Sequence, residues 1–358
     1  MITFQAIAQA KLDAGYEKNA LTKAFINLKE ANDKRDRKDH LLYLSHSEMS
    51  SFATCRQRWN FEYVQKIKPR AERVYFYIGR LLHIAVEYQL YCHYYNYAAT
   101  CTEIKAVFLY FAVVALAEIE TNTAGLPVDY GSYEHQIKLG NAIIDGYCKH
   151  WQYIPQVSSF GGFPQTEVFF AQLLETDKGS LSNKFCRVGK ADALIKYVDK
   201  IFLLENKFIS SFDAGDLKFL TMDSQVASYI WGLQKEYSVE ISGCLYNVAR
   251  KSALRQGKNE TVDQYQERLI ADYAIRPDFY FERHYIYFNQ GFIRQVGRSL
   301  WETAKDMSDP YIYPCSSFIC KRTGCSFADI CTAPADAREE IIGSLYMTKF
   351  AKHEELDM

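Results

Sequence analysis

Cys186 to Lys207, CRVGKADALIKYVDKIFLLENK, constrains this chain more than any other stretch. Two β-rich runs, Phe185 to Tyr197 and Ile201 to Phe208, flank a short polar turn, Val198-Asp199-Lys200, which is the pattern of an antiparallel hairpin. With Asp199-Lys200 as the two-residue tip, the register sets Leu194 opposite Glu205 and Asp192 opposite Lys207. Side chains alternate with period two, so Asp192, Glu205 and Lys207 then share one face, with the Asp192 and Glu205 Cβ atoms roughly 7–8 Å apart on the diagonal. A divalent cation fits between carboxylates so placed. The run Ile201-Phe202-Leu203-Leu204 has the character of a buried strand, yet it ends in a carboxylate and an ammonium, and charge is seldom buried without a partner. An exposed hairpin end with a surface Glu and Lys gives the same pattern, so other parts of the chain must decide.

The 358 residues suffice for one large elaborated domain or two ordinary ones. The net charge of −1 excludes the wholesale basic surface of an architectural nucleic-acid binder, and any polyanion site must be local. Local basic runs are Lys34-Arg35-Asp36-Arg37-Lys38, Lys66 to Arg73 and Lys321-Arg322. The 27 Tyr and 23 Phe suit a base-stacking groove, and equally an aromatic core. The N-terminus lacks a basic segment followed by an apolar one, and the longest apolar run, Ala106 to Ala117, is too short to span a bilayer. A soluble cytoplasmic protein without a membrane partner is expected, in which ten cysteines point to metal or cluster ligation rather than to a disulfide framework.

Helical patterns dominate the first half of the chain and period-two patterns follow, so the fold class expected is mixed α/β. Ser45 or Ser47 is placed to cap a helix carrying Phe52, Cys55, Trp59 and Tyr63 at helical spacing. Gly79, His83 and Glu87 lie along one face of the next helix, where a satisfied core histidine is the plainer reading of His83. Helices are expected over 103–119, nearly all apolar and so buried, and over 133–155. Thr166 to Ala171 reads as a strand, 224–237 as a helix with Gln225 and Tyr229 one turn apart, and Glu240 to Arg250 and Tyr280 to Phe288 as further strands. Near the end, YPCSSFICKRTGCSFADIC places four cysteines, Cys315, Cys320, Cys325 and Cys331, within 17 residues. Paired C-x2-C knuckles of the kind common in structural zinc sites are absent, and iron–sulfur clusters accept these looser gaps. Reduced core cysteines are the alternative.

Taken in order, these residues resemble the RecB-like branch of the PD-(D/E)XK nuclease superfamily, whose cluster-bearing members include phage-encoded exonucleases. Gly79-x3-His83-x3-Glu87 is similar to the branch's histidine motif, Gly189-Lys190-Ala191-Asp192 to its G-x-x-D motif, Glu205-Asn206-Lys207 to its E-x-K motif and Gln225-x3-Tyr229 to its Q-x-x-x-Y motif. The resemblance implies a restriction-endonuclease-like core over residues 43–334, a central mixed sheet flanked by helices, with a helical elaboration over about residues 84–155 and a cysteine cluster at 315–331. Residues 1–42, a helical arm, and the tail 335–358 stand outside it. It implies a metal-dependent DNA nuclease, an exonuclease of recombination, repair or replication. Its substrate would be DNA, single-stranded or with free ends, and its partner a helicase, single-strand-binding or recombination protein. By the same resemblance His83, Asp192, Glu205 and the Asn206 carbonyl would hold Mg2+ or Mn2+, and Lys207 would orient or help deprotonate the attacking water. Gln225 and Tyr229 would contact the strand or brace the site, while Glu167 is either an added carboxylate or a surface residue. A [4Fe–4S] cluster would sit on Cys55, Cys320, Cys325 and Cys331. The first gap of the C-terminal trio is four residues where the family has two, which leaves Cys315 as a possible replacement ligand. A catalytically inactive DNA-binding relative and an iron–sulfur regulatory module are the rival readings.

Overall fold

The computed structural model describes residues 41–71, 74–123, 126–160, 162–349, 352, 353 and 356. The arm expected over residues 1–42 and the basic run Lys34 to Lys38 lie outside the described residues, apart from positions 41 and 42. In chain order the elements are β1 (Leu42–Leu44), α1 (His46–Thr54), α2 (Arg56–Trp59), a π-helical turn (Asn60–Val64), β2 (Ile67–Pro69), α3 (Val74–Tyr94), α4 (Cys101–Thr123) and α5 (Tyr130–His150). There follow β3 (Gln156–Val157), β4 (Ser159–Phe160), β5 (Phe163–Pro164), β6 (Thr166–Glu175), β7 (Leu181–Tyr197), β8 (Lys200–Ile209), α6 (Ala214–Phe219), a 3-10 turn (Leu220–Met222), α7 (Ser224–Tyr237) and β9 (Ile241–Arg250). The chain ends with α8 (Val262–Ile275), α9 (Pro277–Tyr280), β10 (Phe281–Tyr287), α10 (Gln290–Ser308), α11 (Ser317–Thr323), α12 (Ala328–Thr332), α13 (Arg338–Leu345) and β11 (Tyr346–Thr348).

A mixed sheet runs β1-β7-β8-β9-β10, with β3 and β6 also on β7. The β1–β7 and β8–β9 pairs are parallel and the others antiparallel. One face buries apolar residues against α3, α4, α5 and α8, the other against α1, α7 and α10. The mixed α/β expectation therefore holds. Burial of α4 on all sides does not: Leu109, Tyr110, Val113 and Val114 face outward, Val113 being 70% exposed, because only one side of α4 meets α3 and α5.

The hairpin is present, at a different register from the one expected. Its tip is Val198-Asp199, both at positive φ (44° and 58°), and Tyr197 pairs with Lys200, Leu194 with Leu203 and Ala193 with Leu204. A β-branched residue at positive φ is unfavourable, which is why the sequence points to Asp199-Lys200. Cross-strand packing prevails: this register matches Leu194 with Leu203 and Ile195 with Phe202 in the two cores, whereas the expected one sets Leu194 against Glu205. The displacement is by two in the sum of paired numbers, so no side chain changes face.

The long strand β7 shares one edge between two partners. Phe185 to Arg187 pair with β1 and Ala193 to Tyr197 with β8, while β6 lines the other edge. Beyond Leu204, β8 stays with β9 as far as Ile209, so the sheet forks between β7 and β8. Just before the fork, Gly189 stands opposite Phe170. A Cβ there would lie 2.6 Å from the Phe170 ring and 3.2 Å from Tyr229. Overpacking of this kind costs about 1–3 kcal/mol. Gly189→Ala is therefore expected to lower the urea midpoint of unfolding at an unchanged slope, and an unaltered midpoint would contradict the close approach.

Candidate active site

The fork gathers the predicted residues. Asp192, on β7 where its ladder with β8 ends, accepts the Asn206 backbone N–H at 2.6 Å and the Asn206 side-chain amide at 3.0 Å, both on Oδ2. Its Oδ1 lies 3.2 Å from Nδ1 of His83, which α3 presents to the sheet. On β8, Glu205 and Lys207 are two residues apart and so share a face, and the Lys207 ammonium donates to Glu205 Oε1 at 2.7 Å. Gln225 donates to the Tyr229 hydroxyl at 3.2 Å from the first turns of α7. The ring of Tyr229 meets Phe170 edge-on, at 5.9 Å between centroids.

Electrostatics separates the two acids. Burial works against the charge of Asp192, but the His83 imidazole and the Asn206 amide outweigh it and hold the carboxyl below its ordinary value. For Glu205 burial prevails over Lys207 and Asp192 adds like-charge repulsion, so its proton binds more tightly than usual. Burial disfavours the His83 imidazolium, yet Asp192 reverses this and raises it. Burial likewise opposes the Lys207 ammonium, and Glu205 more than compensates, keeping it charged.

Other residues at the fork carry little sequence signal. Arg187 is fully buried, donating to the Leu44 carbonyl at 3.2 Å and to Ser228 Oγ at 3.1 Å, with Phe170 and Tyr229 each 5.7 Å from its guanidinium. His46 opens α1 beside it, and burial together with Arg187 lowers this histidine to about 4, so it is neutral. Glu167 lies between the Thr166–Ala193 and Val168–Ala191 pairs, next to Asp192 across the β6–β7 ladder, and pairs with Lys190 at 2.5 Å. It is mostly buried rather than a surface glutamate, and Glu87 approaches from α3, taking the Thr166 hydroxyl at 3.4 Å.

A family model described as the PD-(D/E)XK nuclease superfamily matches residues 43–332. The chain belongs to the PD-(D/E)XK nuclease superfamily. No curated protein matches the sequence significantly. Among solved structures, "Crystal structure of SSO0001" is similar over 89% of this chain and 98% of that one, at 16% identity and a TM-score of 0.32, too slight a likeness to bear on function. The mixed sheet between two helical layers is the fold of a PD-(D/E)XK nuclease, and such a nuclease is a hydrolase acting on nucleic acid. No helix among the described residues is long and apolar enough to cross a membrane.

The nuclease's cysteines depart from expectation in one respect. The helix expected through Phe52, Cys55, Trp59 and Tyr63 breaks at Cys55, which is extended (φ −159°, ψ 109°) and caps α2 with its own sulfur. The break turns Cys55 Sγ towards backbone donors: the N–H of Arg58 at 3.5 Å and that of Cys315 at 3.4 Å. Cys315 Sγ stands 3.4 Å from Cys320 Sγ, and Cys325 and Cys331 lie near enough to feel Cys55 and Cys320 electrostatically, burial being the main reason their thiols are raised. Behind them stack Phe61, Phe327 and Tyr346. Among the described residues no three His, Cys, Asp or Glu side chains stand close enough together to hold a metal ion as they are placed. At the fork each acid has a nitrogen neighbour, the Lys207 ammonium for Glu205 and the His83 imidazole for Asp192.

Burial raises Glu167 to about 7, with Glu87 adding repulsion that the Lys190 ammonium only partly offsets. An acid whose folded value is raised is neutral in both states below its unfolded value near 4.3, and it opposes folding increasingly as pH rises towards 7. Glu167→Gln removes that penalty, so the variant is expected to gain melting temperature over the parent between pH 5 and pH 8. A constant difference across that range in paired melts would refute the burial argument.

Proposed function

We propose that this chain is a Mg2+- or Mn2+-dependent deoxyribonuclease of the RecB-like branch, acting as an exonuclease in recombination, repair or replication. The convergence of His83, Asp192, Glu205 and Lys207 at the fork of β7 and β8 carries the reading. A buried and a partly buried carboxylate with an imidazole are a donor set suited to these ions, and the imidazole makes Mn2+ more acceptable than an all-oxygen site would. His83, Asp192, Glu205 and the backbone carbonyl of Asn206 would hold the ion, which when bound supplies Lewis acidity and a counter-charge for the scissile phosphate. Lys207, bonded to Glu205, would orient or help deprotonate the attacking water and donate to a phosphate oxygen. Tyr229, 8% exposed and bonded by Gln225, braces α7 against β7 more than it contacts a strand.

An inactivated relative that only binds DNA is disfavoured, since the Asp, the Glu and the Lys are all present and grouped. End-labelled single- and double-stranded DNA, linear and circular, with Mn2+ or Mg2+, tests the reading directly. Asp192→Ala and Lys207→Ala are each expected to lower kcat/KM by about 10²–10³ or more with circular dichroism unchanged. Undiminished cleavage in both variants would sink the assignment.

We also propose that Cys55, Cys320, Cys325 and Cys331 hold a [4Fe–4S] cluster, with Cys315 beside them. The convergence of these thiols and the N–H donors aimed at Cys55 Sγ support this. Its role would be structural, joining positions 265 residues apart, Cys55 and Cys320. Cys325→Ala is expected to lose the brown chromophore and melt earlier, whereas a coloured variant with the parent melting profile would remove the cluster from consideration.

A further inference from the structure

Four polar residues stand in a row across the sheet: Asp192 on β7, Asn206 on β8, Asn247 on β9 and Arg283 on β10. Asn206 is register partner to Asn247, and Asn247 to Arg283. Asn206 and Asn247 are buried, 3% and 2% exposed, so their amides must be satisfied within the protein. Arg283 Nε donates to Asn247 Oδ1 at 3.0 Å, Asn247 Nδ2 donates to Asn206 Oδ1 at 2.6 Å, and Asn206 Nδ2 donates to Asp192 Oδ2 at 3.0 Å. Asn247 Nδ2 also reaches the Tyr147 hydroxyl of α5 at 2.7 Å. Arg283 is held from three sides: it donates to the Tyr153 carbonyl at 2.6 Å and to the Tyr147 hydroxyl at 3.1 Å, and its guanidinium lies 4.0 Å above the Trp151 ring.

The chain of bonds has one possible direction. A guanidinium only donates, so Asn247 must turn its oxygen to Arg283 and its nitrogen to Asn206. Asn206 must then offer its oxygen to Asn247 and its nitrogen to Asp192. Reversed, the Asn206 carbonyl would face the Asp192 carboxylate, two acceptors with no proton between them. We propose that Asn247 and Arg283 are positioning residues of the hydrolytic site, acting on Asp192 through Asn206: the fixed donor direction engages Asp192 Oδ2 and leaves Oδ1 towards His83. Neither residue touches the reacting atoms. The inference rests on the nuclease reading above, and its test separates the two.

The measurement is Mn2+ binding by isothermal calorimetry without DNA, alongside kcat and KM for linear DNA. Asn247→Asp keeps the shape and an acceptor for Arg283 but removes the donor to Asn206. It is expected to weaken Mn2+ binding about 10- to 100-fold, the range seen when residues supporting metal ligands are changed, and to lower kcat with KM for DNA nearly constant. Arg283→Met, which keeps an apolar stem over Trp151, lets Asn247 turn either way and is expected to act in the same sense, so the reading survives if Asn247→Asp does not fold. Arg283→Lys retains a donor-only group and is expected to recover most of the affinity, which a purely structural role, following melting temperature, would not predict. If the parent binds Mn2+ and cuts DNA while Asn247→Asp and Arg283→Met bind as tightly, the relay is overturned and the nuclease reading stands. If the parent does neither, both fall.

Discussion

The departure of β8 from β7 beyond Leu204 is the constraint from which the site follows. A sheet that splits must satisfy the backbone groups its ladder gives up, since an unpaired buried N–H is as costly as a lost hydrogen bond. Here the Asn206 N–H goes to the Asp192 carboxylate. The bond that closes the end of the ladder thus fixes an anionic side chain at the mouth of the fork. Glu205 and Lys207 follow on the strand that turns away, and α3 supplies His83 from the layer above. Each acid is met by a nitrogen donor, Asp192 by His83 and Glu205 by the Lys207 ammonium, which offsets part of the cost of burying it.

Much of this arrangement is legible in the sequence, because its carriers are local. The G-x-x-D and E-x-K residues stand on one hairpin, and a hairpin's faces are set by alternation alone. The misplaced tip, Asp199-Lys200 for Val198-Asp199, leaves the site's composition intact for that reason: a two-step displacement returns every side chain to its side. Gly189 is recognisable as part of a motif, but its cause, the Phe170 ring across the ladder, belongs to β6 and to a register no spacing reveals. Arg187, Asn247 and Arg283 are chosen by neighbours on other strands, so a single sequence shows Arg187 and Asn247 only as polar residues among apolar ones and Arg283 as one charge beside Glu282 and His284. Periodicity misled at Cys55, where the i, i+4 spacing of Cys55, Trp59 and Tyr63 suits a helix that the backbone interrupts, and at α4, whose apolar content exceeds what its packed side can cover.

The C-terminal segment has a larger part than a tail. Strand β11 pairs with β2, and Lys349 follows, 3.6 Å from Glu62 and 4.5 Å above the Tyr63 ring. Lys352 and His353 then reach Glu48 of α1 at 2.8 Å and 3.4 Å. Glu48 is fully buried and also accepts the Trp59 indole N–H at 3.1 Å. A carboxylate in that position destabilises unless a cation meets it, so Lys352 and α1 hold one another in place.

That dependence joins the fork to the cysteines. The nine-residue helix α1 has His46 at one end, within the field of Arg187 and Lys207, and Cys55 just past the other, receiving the Cys315 amide. Its length, about 13 Å at 1.5 Å per residue, is one connection along the chain between fork and thiols. The acids themselves do not depend on it, because Asp192, Glu205 and Lys207 are set by β7, β8 and β9. The end of α1 meets the fork at His46 and Arg187, on the side of α7 and Tyr229, while the row from Asp192 to Arg283 has its own supports in α5 and β10. The site is held from two sides by elements that share no residue, and this lets a forked sheet keep its charges in register.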